Sequence, residues 1–179
     1  MLGYTMKVVK KFIYRSDKMI KKVLVAYFSC SGATETLAHQ ISTIIGADEY
    51  KIEPKIPYTY ADLNWLDKNS RSTIEMHNLL FRPEILDKCK HMDEYEIIFL
   101  GFPIWWYQAP TIIHTFLESY DFSNKTIIPF CTSGGSGAGK TDEILHNLCS
   151  HSVHWYPCQL LKCNANDKDI LSWIKDLTL

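Results

Sequence analysis

The sequence predicts an α/β fold, one doubly wound parallel sheet with helices on both faces. Short apolar runs, too brief to span a membrane, alternate along the chain with segments whose apolar residues recur at helical spacing. Alternation of that kind builds a parallel sheet. The leading run, Val23-Leu24-Val25-Ala26-Tyr27-Phe28, is apolar at every position, as strands covered on both faces are. Three of the strands end in loops of unusual composition, and ligands of open α/β sheets bind beyond the carboxyl ends of the strands.

The first strand runs into Ser29-Cys30-Ser31-Gly32-Ala33-Thr34 and then into a helix beginning near Glu35. A helix N-terminus offers unpaired N–H groups and the positive end of a dipole, so this turn is a candidate phosphate cradle. Ser29, Ser31 and Thr34 add hydroxyls, and Gly32 allows close approach. The same residue types also make ordinary turns and caps. Leu37, Ile41, Ile44 and Ile45 give the helix its apolar face, and Gly46 stops it. Tyr50 and Ile52 alternate with charged residues, as in a half-exposed edge strand.

Residues 54–92 are irregular, holding Pro54, Pro57, Tyr58, Tyr60, Trp65, Arg71, Arg82 and Pro83, with helical stretches expected around 61–66 and 72–80. A connection this long carries function or wraps an edge. Ile97–Leu100 is the next buried strand, ended by Gly101. The turn Phe102-Pro103-Ile104-Trp105-Trp106-Tyr107-Gln108-Ala109-Pro110 follows, then a helix with Ile112, Ile113, Phe116, Leu117 and Tyr120 on its apolar face. Thr126–Cys131 is the fourth strand, with Pro129 a cost inside it because proline cannot donate to the ladder. The loop Thr132-Ser133-Gly134-Gly135-Ser136-Gly137-Ala138-Gly139 leads to a helix with Ile144, Leu145 and Leu148 inside. A last strand within 154–162 and a helix with Ile170, Leu171, Ile174 and Leu177 complete the pattern. The loops after the first, third and fourth strands share one sheet edge, and their convergence favours a binding site over three unrelated turns.

At 179 residues, length favours a single domain. Six cysteines occur without a Cys-x-x-Cys pair, and several lie in apolar runs, so reduced thiols in a cytoplasmic protein are expected. Cys158 and Cys163 have no second pair to complete a zinc site. The net charge of −1 conceals an asymmetry: residues 1–22 hold seven cations and one acid, which leaves −7 on residues 23–179. An acidic body argues against nucleic-acid binding and suits a partner with a basic docking patch. Residues 1–22 form a basic extension, too short and too charged to span a membrane. Of these, 1–18 fit no part of the sheet architecture, and Met19 makes a natural start, so an upstream start and a basic arm both stay open.

Gly134 to Thr141 also matches the nucleotide-triphosphatase pattern of Gly, four residues, Gly-Lys-Thr, between a strand and a helix. That chemistry needs an Asp at a neighbouring strand end to hold magnesium. The buried strands end at Ser29, Gly101 and Cys131. A flavin explains more. Trp105, Trp106 and Tyr107 between two prolines are poor core material but can pack on a flat ring. The backbone of a small, glycine-rich loop can reach the polar edge of that ring. A flavin-free signalling domain of the response-regulator kind would need clustered acids in these loops, and they contain none. Cys30, at a helix N-terminus, is either a nucleophile of lowered pKa with His39 approaching it or a small filler residue.

Over residues from about Val23 onward the chain resembles the flavodoxins. The resemblance rests on the Val-Ala-Tyr-Phe-Ser start, the cradle Ser29-x-Ser31-Gly32-x-Thr34, the turn Pro103-Ile104-Trp105-Trp106 and the loop Thr132 to Gly137. It implies a five-stranded sheet in the order 2-1-3-4-5, non-covalent FMN and electron transfer. By position, Ser29, Cys30, Ser31, Gly32, Ala33 and Thr34 would hold the phosphate, with Ala33 standing where many flavodoxins have Asn. Pro103, Ile104, Trp105 and Trp106 would flank the ring, and Thr132, Ser133, Gly134, Gly135, Ser136 and Gly137 would line its polar edge. Two departures stand out: the fourth-strand loop has no aromatic, and the extra length lies at 54–92. An uncovered ring face would admit a nicotinamide, a quinone or another small acceptor, making an FMN-dependent NAD(P)H or quinone reductase. A ring capped by Tyr58, Tyr60 or Trp65, from this chain or a second subunit, would make a closed carrier served by redox protein partners. Deleting residues 1–18 is expected to leave FMN affinity unchanged in a fluorescence titration; a truncated protein that loses FMN refutes this.

Overall fold

The computed structural model describes residues 21–177. The basic extension therefore lies almost wholly outside the described residues. Strand β1 (Lys22–Tyr27) leads through the Ser29–Gly32 turn into α1 (Ala33–Ile45), and β2 (Asp48–Lys51) follows. The insertion contains α2 (Arg71–His77). Then come β3 (Tyr95–Pro103), α3 (Thr111–Glu118), β4 (Thr126–Thr132), α4 (Thr141–His146), the two-residue strands β5 (His154–Trp155) and β6 (Gln159–Leu160), and α5 (Asp167–Asp176). The pairs are all parallel, in the order β2-β1-β3-β4-β5, with β6 also on β4. This is the five-position order expected, with the last position split between two short strands.

The alternation of side chains along the strands makes two cores. Val23, Val25, Tyr27, Phe99, Ile128 and Phe130 face α1 and α5, while Leu24, Ala26, Phe28, Ile98, Leu100 and Phe102 face α3, α4 and the insertion. Burial of both faces explains why Val23 to Phe28 and Ile97 to Leu100 read as unbroken apolar runs.

Three local expectations need correction. The expected helix at 61–66 is a run of turns, because short polar side chains capture its backbone: Asn64 Oδ1 accepts from Leu66 N–H at 3.2 Å and Asp67 Oδ1 from Asn69 N–H at 2.8 Å. Its neighbour is shorter than expected, Arg71–His77, and starts where Ser70 caps Thr73 N–H at 3.3 Å. Gly101 does not end β3, which continues to Pro103. The missing side chain has another purpose: a Cβ there would lie 2.3 Å from Phe130 Cζ.

The split of the last strand accounts for Pro129. Carbonyls of Lys125, Ile127 and Cys131 all accept from the β5–β6 side, at 2.9, 3.0 and 2.9 Å. By alternation the position of Pro129 faces the same side, at the gap between β5 and β6 that holds Pro157. The absent donor falls where the ladder has no acceptor to offer it.

Candidate functional site

The loops after β1, β3 and β4 meet at one edge of the sheet around a cavity of about 670 Å³, within the range of small-molecule sites. Each wall has a local cause. Gly32 caps α1 in the left-handed region at φ 85, and no side chain caps the helix. Its N–H donates to Ser29 Oγ at 3.1 Å, which curls the turn. The first-turn amides of α1 are thus left without a side-chain acceptor of their own, the arrangement that receives an anion.

The aromatic turn is a two-residue hairpin. Trp105 and Gln108 exchange both backbone bonds, at 2.9 and 3.1 Å, and Trp106 and Tyr107 sit at φ 46 and 63. Type I′ turns require such angles and favour Asn and Gly, so two bulky residues here store strain of about 1–3 kcal/mol each. The turn is held from below, where Phe28 and Tyr58 pack edge-on against Trp105. It is held from the side by the glycine-rich loop: Lys140 N–H donates to Tyr107 O at 3.2 Å, and Gly139 (φ 57) has no room for a Cβ, which would lie 2.1 Å from Tyr107 O. Ser133 Oγ accepts from Gly135 N–H at 3.1 Å and Ser136 N–H at 2.8 Å, shaping the opposite wall.

The insertion closes the remaining side. Glu75 is buried at the centre of a cluster: Arg71 Nε donates to it at 2.6 Å, Tyr58 donates its hydroxyl to the other oxygen, and the Arg71 guanidinium lies 4.0 Å from the Tyr58 ring centre. Arg71 also donates to Ile56 O at 2.7 Å. A buried carboxylate demands such partners, and satisfying it clamps α2 against Tyr58 and, through it, Trp105. Burial raises the Tyr58 hydroxyl far above its usual range, and the Glu75 charge adds to this.

Of the residues expected in the site, Cys30, Ser31, Pro103, Ile104, Trp105, Trp106, Ser133, Gly134, Gly135 and Ser136 line the cavity. Gly32 and Gly137 are in the adjoining turns and Ala33 opens α1, none of them lining it, and Ser29 lines a neighbouring cavity of about 260 Å³. Thr34 and Thr132 are buried behind the wall, joined hydroxyl to hydroxyl at 2.9 Å. This contact ties the β1 and β4 loops together.

Leu63, Trp65, Ser72 and Tyr107 complete the lining. Of the residues considered as caps, Trp65 lines the cavity at 71% exposure, whereas Tyr60 is 96% exposed and does not line it. Tyr107 was legible in the turn; Leu63 and Ser72 carried no signal, because the folding of the insertion brings them in.

Loss of water around the Cys30 sulfur pushes its thiol up to about 12, the reverse of an activated nucleophile, although the residue reaches solvent. His39 pairs with Glu49 at 2.5 Å. In the triphosphatase-like stretch, the Thr141 hydroxyl is buried and donates to Ala138 O at 2.6 Å, and Gly139 is pressed on Tyr107. Among the described residues no cluster of His, Cys, Asp or Glu is arranged to hold a metal, and no helix is long and apolar enough to cross a membrane.

The family model described as flavodoxin matches residues 22–177. A protein of Bacteroides eggerthii, named as a flavoprotein, has a structure matching at TM-score 0.83 with 40% identity, over 88% of this chain and 98% of its own. Another so named, from Bacteroides uniformis, matches at TM-score 0.82 with 42% identity, over 87% and 99%. A flavoprotein of Lactobacillus acidophilus, solved in complex with FMN, shares the fold at TM-score 0.62 and 21% identity, over 86% and 98%. No curated protein matches the chain.

Proposed function

We propose, from the premise that this chain belongs to the flavodoxin family, that it binds FMN non-covalently in the cavity at the sheet edge and serves as an electron carrier. The observation that carries this reading is continuity: one cavity runs from Cys30 and Ser31 at the uncapped start of α1 to the Trp105–Tyr107 turn and the Ser133–Ser136 loop. A phosphorylated flat ring needs those surfaces in that order. The FMN held by the Lactobacillus relative accords with it.

In this reading Ser31 and the first-turn amides from Gly32 to Thr34 hold the phosphate, with Ser29 shaping the turn. Ile104, Trp105 and Trp106 flank the ring, and Ser133 to Gly137 present backbone groups to its polar edge. When bound, FMN supplies reversible uptake of one or two electrons. The protein's own part is to hold the ring, exclude water with Trp65 and the aromatic turn, and shape the electrostatics around it. The −7 of residues 23–179 suits redox protein partners with basic docking surfaces, and six free cysteines suit a reducing cytoplasm.

Reconstitution with FMN tests the reading. Flavin fluorescence is expected to be quenched on binding, and Ser31→Ala to weaken binding about tenfold, the loss of one charge-assisted hydrogen bond. Thr34→Val should act on stability more than on affinity, its hydroxyl being committed to Thr132. Protein that takes up no flavin refutes the proposal. Steady NAD(P)H consumption with a quinone, in the absence of a reductase partner, would replace the carrier by a reductase.

A further inference from the structure

Six large apolar side chains are more than three-fifths exposed among the described residues: Ile56, Tyr60, Trp65, Leu66, Leu80 and Tyr107. Five belong to the insertion and the sixth to the turn beside it. A backbone bond and a ring contact bring their segments together. Ser72 N–H donates to Asp62 O at 3.0 Å, which ties the Trp65–Leu66 turn to the start of α2. At the other end of α2, His77 packs on Trp106 with ring centres 6.3 Å apart, joining that helix to the Tyr107 turn. Ile74, on the outer side of α2, lies between these two ties and is half exposed.

We infer that this face is the interface of a homodimer, with a second copy of the chain as its occupant. Two arguments select that occupant. The first is area: at exposures of 65–96%, six side chains present roughly 700 Å² of apolar surface, taking 150–250 Å² for each aromatic and about 100 Å² for each aliphatic one. A monomer rarely leaves that much uncovered, and a stable dimer buries about 800 Å² on each partner. The second is charge. Residues 56–86 hold Lys68, Arg71 and Arg82 against Asp62, Asp67, Glu75 and Glu84. Arg71 is paired with Glu75, Arg82 with Glu118 and Glu84 with Lys55. A near-neutral apolar face is complementary to a copy of itself, and a two-fold contact needs nothing else. A basic partner protein is drawn instead to the acidic remainder. Because Trp65 and Tyr107 both line the cavity, the dimer interface borders it.

Sedimentation velocity on the full chain, with and without FMN, tests this from about 1 to about 100 µM. The expected result is a dimer, with Ile74→Glu and Leu80→Glu each weakening association about 100-fold or more at unchanged far-UV circular dichroism. Neither residue lines the cavity, so FMN binding is read separately and its failure leaves the dimer result standing. A monomer throughout that range hands the face to another occupant and overturns the inference, as does a dimer unaffected by both substitutions. Should the variants unfold, amide exchange of the wild type serves: protection across 56–86 must rise with protein concentration, and exchange independent of concentration overturns the dimer.

Discussion

Gly101→Ala is expected to cost about 3 kcal/mol, a large loss for a single methyl group. Gly101 is in register with Phe130 on β4 and with Tyr27 on β1, so the three residues share one face of the central sheet. The Phe130 ring lies over the glycine, and an added Cβ would meet three of its atoms at 2.3, 2.7 and 2.9 Å. The ring cannot move aside readily, being fully buried and packed against Trp173 at 6.3 Å between centres. Denaturant unfolding of Gly101→Ala, Phe130→Leu and the double variant measures the coupling. The double variant is expected to recover about 1–2 kcal/mol relative to the sum of the singles. Additive losses would show that the clash is not the cause.

Acidification from pH 6.5 to 4 is expected to remove about 3 kcal/mol of stability through one residue, His114. This histidine on α3 is 1% exposed, and neither ring nitrogen makes a well-formed hydrogen bond. Burial pulls its pKa down to about 4, and the nearby Arg82 guanidinium adds to the effect against Glu118 and a backbone contact with Leu79. The native state therefore keeps the imidazole neutral, whereas the unfolded chain takes up a proton below about 6.5. A base whose pKa is depressed by folding contributes its stability fully above the unfolded value. That contribution is lost as pH falls toward the folded value. Urea unfolding of wild type and His114→Leu at several pH values between 7 and 4 isolates it, since the acidic groups are common to both. The gap between the two should change by about 3 kcal/mol in favour of the variant as pH falls; a constant gap refutes the assignment. Because His114, Arg82 and Leu79 lie where the insertion meets α3, the insertion is the part expected to loosen first.

The strained turn at Trp106 and Tyr107 and the glycine at 139 that receives it illustrate how this site is built. Neither segment is stable in that shape alone. The backbone bond from Lys140 to Tyr107, the contact at Gly139 and the packing of Trp105 on Phe28 and Tyr58 over-determine the conformation. Bulky aromatics at positive φ face a cavity, where a turn free of function would favour Asn-Gly.

The family resemblance supplied the strand order; local pattern was enough for the strands, the helix faces and the hydroxyl-rich turn at Ser29 to Thr34. Each follows from apolar periodicity or from the chemistry of a few adjacent residues, and both are properties of a short window of chain. What needed the folded molecule were the relations between windows. Gly101 read as a strand end until Phe130 supplied the reason for a missing side chain. Pro129 read as a defect until the neighbouring strand proved to be broken opposite it. Thr34 read as a hydroxyl donor in the cradle, and its contact with Thr132, far along the sequence, could not be read from that window. The insertion read as irregular, and its contribution of Leu63, Trp65 and Ser72 to the cavity depends on a buried Glu75 finding Arg71 and Tyr58. Burial is settled by which segments meet, and no local spacing encodes the partner that a side chain will find across the sheet.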